Sequence, residues 1–266
     1  MRRSPPRARW GAAAVLALGL GVSLAIAQTA PPASERKSGF AFMSPESQAI
    51  QMDDAANPAM LWVAEGETLW TTKVGPDNRS CADCHGDAAV SMKGVAARYP
   101  AYFEEEHRPV DLQGRINICR QARQKTTALP YESRELLALA AFIGKQSRGM
   151  PITPGTDARL EPFRAQGQAF YEQRQGQLNF SCANCHDDNW GRRLGSSVIP
   201  QAHPTGYPLY RLEWQDMGSL QRRFRNCMVG VRAEPYPYGA PEYINLELFL
   251  MTRAKGMLVE TPAVRP

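Results

Sequence analysis

Past its first 27 residues the chain has no apolar run long enough to span a membrane, and it has no excess of either charge. The whole chain carries +5, but residues 1–27 hold four arginines and no acid, so the remainder stands near +1. A near-neutral chain of this kind gives no reason to invoke nucleic acid, in spite of a pI ≈ 8.9. Histidine is scarce, at four, and cysteine numbers six. Zinc clusters bring more Cys and His at short spacing, and a disulfide framework does not require His directly after each Cys pair.

What is present is the pair of motifs Cys81-Ala82-Asp83-Cys84-His85 and Cys182-Ala183-Asn184-Cys185-His186, 101 residues apart. C-x-x-C-H is the signature of covalent haem c attachment. Positions i, i+3 and i+4 share one face of a helical turn, so Cys81 and Cys84, or Cys182 and Cys185, reach the porphyrin while His85 or His186 meets the iron. Two haems are expected. Their attachment needs export, and the start of the chain has a route. Arg2, Arg3, Arg7 and Arg9 precede an apolar stretch from Gly11 to Ala27 that ends in Ala25-Ile26-Ala27. Residues 1–27 therefore read as a signal peptide of the general export route, directing the chain to the periplasm and leaving no membrane span in the mature chain.

Internal similarity organises the rest. Gly66-x-x-x-Trp70 repeats as Gly167-x-x-x-Tyr171, Tyr99-Pro100-Ala101-Tyr102 as Tyr207-Pro208-Leu209-Tyr210, and Leu112-Gln113-x-Arg115-x-x-x-Cys119 as Leu220-Gln221-x-Arg223-x-x-x-Cys227. The expected fold class is all-α, a tandem duplication of two class I cytochrome c-like domains, each around one covalent haem c. The boundaries are an N-terminal arm at 28–57, a first domain at 58–150, a linker at 151–162 punctuated by Pro and Gly, a second domain at 163–257, and a tail at 258–266 that shows no packing pattern. Each domain opens with an apolar helical stripe, Leu61, Trp62, Leu69 and Trp70 or Phe163, Phe170 and Tyr171. Each closes with a helix, Glu135 to Ile143 or Glu242 to Met251. Gly66 and Gly167 leave room for those helices to cross closely, which justifies a residue costing about 1 kcal/mol in a helix.

The distal iron ligand carries the functional reading. Met150 and Met257 follow the closing helices instead of preceding them, and Met92, Met217 and Met228 are not matched between the copies. His107 and His203 are unmatched loop histidines. Cys119 and Cys227 are matched and follow their haem histidines by 34 and 41 residues, which makes both candidate distal ligands. A Cys119–Cys227 disulfide, or two buried thiols, is the alternative. Arg115 and Arg223 each stand four residues before the cysteine, where their charge favours thiolate. From Cys182 to Arg232 seven arginines meet four acids, whereas from Cys81 to Gln124 six basic residues meet six acids. The second haem has the more anion-friendly surroundings.

Further segments, Ala56-Asn57-Pro58-x-Met60-Leu61-Trp62, Gln146-Ser147-Arg148-Gly149-Met150-Pro151, Asn189-Trp190-Gly191-Arg192-Arg193 and Gly230-Val231-Arg232-Ala233-Glu234-Pro235 among them, resemble the SoxA family. Its members are the dihaem subunits of the SoxAX cytochromes of periplasmic thiosulfate oxidation. The resemblance runs from about Phe40 to the end. It implies that His85 and Cys119 ligate the first iron, and His186 and Cys227 the second. It also implies that Cys227 is a persulfide whose outer sulfur takes part in catalysis, with Arg223 positioning the substrate anion. The implied activity is that of an L-cysteine S-thiosulfotransferase, coupling thiosulfate to a cysteine of the carrier SoxYZ. Its implied partners are a monohaem SoxX subunit and a small cytochrome c that accepts the electrons. A dihaem electron-transfer protein without catalysis, or a dihaem peroxidase, is the competing reading. The first would call for methionine-ligated haems and the second for an iron that opens to peroxide.

Overall fold

The computed structural model describes Met1 and residues 31–266, so the proposed signal peptide at 2–27 lies outside the described residues. The helices are α1 Pro45–Met52, α2 Met60–Thr71, α3 Ala82–His85, α4 Ala88–Ser91, α5 Leu112–Ala122, α6 Arg134–Lys145, α7 Glu161–Glu172, α8 Cys182–His186, α9 Leu220–Gly230 and α10 Pro241–Arg253. The strands are β1 Ala101–Phe103, β2 Arg108–Val110, β3 Arg193–Leu194, β4 Ser197–Val198, β5 Leu209–Arg211, β6 Asp216–Gly218 and β7 Ala263–Arg265. Among the described residues no helix is long and apolar enough to cross a membrane.

Local chemistry sets the helix starts. Ser44, Asp111, Ser133 and Ser219 each accept a backbone N–H in the first turn of α1, α5, α6 and α9. The opening and closing helices then cross where glycine permits it. A Cβ on Gly66 would fall on the Ala138 carbonyl of α6, and one on Gly167 would fall on the Asn245 carbonyl of α10. Helix α6 is buried without interruption from Leu136 to Gly144. An apolar stripe on one face does not account for that. Trp62 and Trp70 of α2 cover one side, and Thr261 of the chain's last segment packs on Gly144. The expected stripe on α2 is correct except for Leu61, which is 66% exposed.

Three expectations need correction. The chain is helix-rich but not all-α: hairpins β1–β2 and β5–β6 precede the cysteine-bearing helices α5 and α9, and β7 adds to β5 in parallel. These strands have three residues each, too few for an alternating pattern to emerge. The tail at 258–266 is packed. Val259, Thr261, Ala263 and Val264 are buried, since β7 completes a sheet instead of trailing into solvent. The linker at 151–162 is a seam. Ile152 donates to the Met257 carbonyl at 2.8 Å and receives the Gly256 N–H at 2.8 Å, and Ile152 and Leu160 are buried. Helix α7 begins inside it, at Glu161.

The N-terminal arm contains helix α1 and lies across the second half of the chain. Arg36 donates to the carbonyls of Arg253 and Lys255 at 2.9 and 2.8 Å, Ser38 bonds Glu260, and Gln51 receives the Val264 N–H at 3.1 Å. His203 is buried under this arm with Nδ1 2.9 Å from the Lys37 carbonyl, whereas His107 is exposed in a left-handed turn.

Candidate functional site

Each C-x-x-C-H motif is wound into its turn by the residue before it and the residue in its middle. Ser181 and Asn184 form a capping box, with Asn184 N–H donating to Ser181 Oγ at 3.2 Å and Ser181 N–H to Asn184 Oδ1 at 3.1 Å. Ser80 and Asp83 make the same exchange at 3.1 and 2.8 Å. The His85 N–H closes the turn on the Cys81 carbonyl at 2.9 Å. The two cysteines and the histidine of each motif are thus held on short, internally satisfied helices α3 and α8.

The imidazoles are held differently. His186 Nδ1 is 2.6 Å from the Pro200 carbonyl, an acceptor only, so Nδ1 carries the proton and Nε2 is left as the donor to a metal. The His85 ring sits 5.7 Å from the Trp70 ring, and Trp70 Nε1 donates to the Gly86 carbonyl at 3.1 Å.

Cys119 and Cys227 arrive from α5 and α9. All six cysteines are free thiols, so Cys119 and Cys227 are not bridged. In the first site Cys81, Cys84, His85 and Cys119 line one cavity of about 630 Å³, walled by Leu139 and Ile143 of α6. An apolar-walled cavity with two thiols and an imidazole on one lining helix and a third thiol on another fits a haem c. In the second site burial, then the Cys227 sulfur, pushes the Cys182 thiol up to about 12, and the same two causes raise Cys185. The three sulfurs therefore lie close enough to act on one another's charge, and His186 bonds Cys227. That donor set also suits a haem c, with Cys182 and Cys185 for thioethers and His186 Nε2 and Cys227 for iron.

Cys227 differs from Cys81, Cys182 and Cys185 in the direction of its shift. Burial pushes its thiol up, but Arg223, the hydrogen-bonding His186 side chain and Arg211 outweigh that and bring it down to about 7. Arg223 is held more firmly charged in return, first by Cys227, against burial, and with help from Tyr207. Only some of the arginines counted in the sequence act here. Arg222 stacks on Trp214 at 4.3 Å and reaches Asp216, Arg225 stacks on Tyr238 at 4.7 Å, and Arg192 and Arg193 lie in the exposed β3–β4 hairpin. Arg115, the counterpart of Arg223, lies over the Phe103 ring at 5.2 Å.

Sequence reasoning missed Pro200, Arg211 and a buried ion pair next to the haem histidine. Asp187 Oδ1 accepts from Arg253 at 2.6 Å and from Tyr171 OH at 3.0 Å, which ties α8 to α10. No motif marks these residues. Tyr207 could have been found, since it belongs to the repeated Tyr-Pro segment.

Comparison with known proteins agrees with this geometry. Residues 65–152 match the family described as SoxA/TsdA, cytochrome c domain. The chain is 37% identical to the L-cysteine S-thiosulfotransferase subunit SoxA of Pseudaminobacter salicylatoxidans, over 92% of this chain and 86% of that protein. It is 34% identical to the SoxA subunit of Rhodovulum sulfidophilum, over 87% and 80%. The crystal structure of SoxXA from P. pantotrophus superposes with a TM-score of 0.84 at 32% identity, covering 87% of each chain. A cytochrome c domain with free C-x-x-C-H thiols binds haem c. With its fold shared with a SoxXA structure and more than a third of its residues shared with a SoxA subunit over 92% of its length, this chain belongs to the SoxA family of L-cysteine S-thiosulfotransferase subunits.

Proposed function

We propose that the chain is the catalytic subunit of a periplasmic heterodimer with a monohaem SoxX, joining thiosulfate to a cysteine of the carrier SoxYZ and passing the electrons to a small cytochrome c. The observation that carries this reading is the convergence of Cys227, Arg223 and His186 in one partly buried site of a SoxA-family chain. The chain is read as a signal peptide followed by two duplicated cytochrome c-like domains, 58–150 and 163–257, each with its own haem c. The matched glycine crossings, and hairpins placed alike ahead of the cysteine helices, support duplication.

His85 and Cys119 would hold the first iron, and His186 and Cys227 the second, with Cys81, Cys84, Cys182 and Cys185 as thioethers. When bound, the haems supply one-electron acceptors. The chain's own residues do the rest. Cys227, carried as a persulfide, offers a sulfur beside Arg223, whose charge favours the anionic form as it does for the thiol. Arg223 then supplies positive charge for the incoming dianion in a site where few waters compete. Joining thiosulfate to a carrier thiol makes one S–S bond, releases one proton and removes two electrons, which leave singly through haem. A plain electron relay would gain nothing from an arginine whose charge stabilises a buried sulfur anion.

Paramagnetic resonance of the haem-loaded chain tests the ligands. Two low-spin His/thiolate signals are expected from a protein with two haems by pyridine haemochrome, and intact mass should show one additional sulfur atom. A His/Met signal at the second haem would remove Cys227 from the iron and the mechanism with it.

A further inference from the structure

A half-open pocket of about 70 Å³ lies between the two halves of the chain and has room for more than one water. Tyr99, Asp111, Gln113, Tyr207, Gln221 and Glu247 line it. It lies between the two haem sites. Tyr99 also lines the first haem cavity and feels Arg115 and Cys119, whereas Tyr207 feels Arg223 and Cys227. Two polar groups here lack partners. Gln113 Nε2 makes no hydrogen bond although the residue is only 6% exposed, and Glu247 of α10 has no donor among the described residues. A water between them would satisfy both.

Asp111 and Glu247 both line this pocket and the Asp111 charge acts on Glu247, so both cannot be ionised cheaply. Their surroundings separate their roles. Asp111 caps α5 and accepts from Gly114 N–H at 2.8 Å, Tyr131 OH at 2.8 Å and Gln221 Nε2 of α9 at 3.0 Å, with Arg108 of β2 as the nearby cation. Burial pushes the Asp111 carboxyl up, and those donors oppose it by favouring the charged form. Glu247 has only burial and the Asp111 charge around it, and both hold its carboxyl well above the usual range. The remaining titratable groups facing the pair are Tyr131, Tyr99 and Tyr207, whose phenols burial keeps neutral.

We propose that this cavity is a proton-binding site, in which Glu247 carries a proton over internal water beside ionised Asp111, and that reduction of the flanking haems tightens its hold on that proton. The inference rests on the two-haem reading above. An electron added to a flanking iron makes its side of the cavity more negative, which favours the neutral carboxyl. Where the oxidised protein has lost the Glu247 proton and the reduced protein keeps it, reduction of the flanking haems takes one proton from solvent, since Glu247 binds only one. No proton passes to substrate, and the electron comes from the sulfur coupling.

The test is a redox titration of the haem-loaded chain across neutral and alkaline pH, with haem counted separately so that loss of a haem is distinguished from loss of coupling. The reduction equilibrium should fall with pH by up to tenfold per unit, 59 mV, through the Glu247 titration. That slope should vanish in Glu247→Gln and move to lower pH in Asp111→Asn, which keeps the helix cap while removing the like charge. Infrared difference spectra should show a protonated carboxyl band absent from Glu247→Gln, a readout that needs no turnover. Potentials that do not vary with pH in the parent chain, or a band that survives Glu247→Gln, would overturn the assignment.

Discussion

Replacing Cys227 by alanine is expected to abolish conjugation of thiosulfate to the carrier while haem content stays that of the parent chain. Attachment depends on Cys182 and Cys185, which the substitution leaves in place on a helix α8 held by its own capping box. Catalysis loses its sulfur and, in the proposed ligation, the far side of the second iron. The loss should reach several orders of magnitude, since a nucleophile that acts as a unit with its neighbours is not replaced by them. Arg223→Met should be milder, on the order of 10²-fold in kcat/KM, because Arg211 still reaches the thiol. Assays use the complex with its monohaem partner. Normal turnover by Cys227→Ala would sink the assignment, and the Cys119→Ala variant shows whether both distal cysteines matter or only the second.

The second large effect concerns folding. Gly66→Ala and Gly167→Ala each put a methyl group onto a carbonyl oxygen of the crossing helix, and neither α6 nor α10 can move without opening its core. Overpacking typically costs about 1–3 kcal/mol, and contact with backbone in place of a flexible side chain belongs at or above the upper end. Against a stability of roughly 5–15 kcal/mol for an ordinary domain, either change should lower the urea midpoint of the holoprotein well beyond error, and the pair should approach unfolding. Gly230→Ala is the control. It ends α9 with nothing within 4 Å of the new Cβ, so it should be neutral or slightly stabilising. Equal midpoints for all three would mean that the crossings are loose.

Those glycines were legible because their cost in a helix requires a reason, and the repeat offers it twice. The motif cysteines and histidines were legible for the same kind of reason, since a thiol pair followed by histidine at helical spacing has few other uses. The inward faces of α6 and α10 followed from periodicity. What stayed hidden depends on contacts between residues far apart in sequence. Val264 is fully buried because β5 lies beside it, not because its neighbours in sequence are apolar. Arg211 reaches Cys227 from a strand sixteen residues upstream, and no spacing rule links the two. The arginine count that favoured the second site overstated it, since Arg211, Arg222 and Arg225, three of the seven, lie over Trp214 or Tyr238.

The hold of the N-terminal arm on the last strand has a consequence for maturation. Gln51 and Val264 meet across 213 residues, and Arg36 reaches Arg253 across 217. Closing so long a span costs the most chain entropy, so these clasps form after the local turns and helix pairs. On the proposed export route the polypeptide would emerge from its beginning, and the arm would wait for its counterpart until nearly everything else had crossed. Both attachment turns would remain reachable by the haem-ligating machinery through that interval, and the clasp would then shut the finished protein.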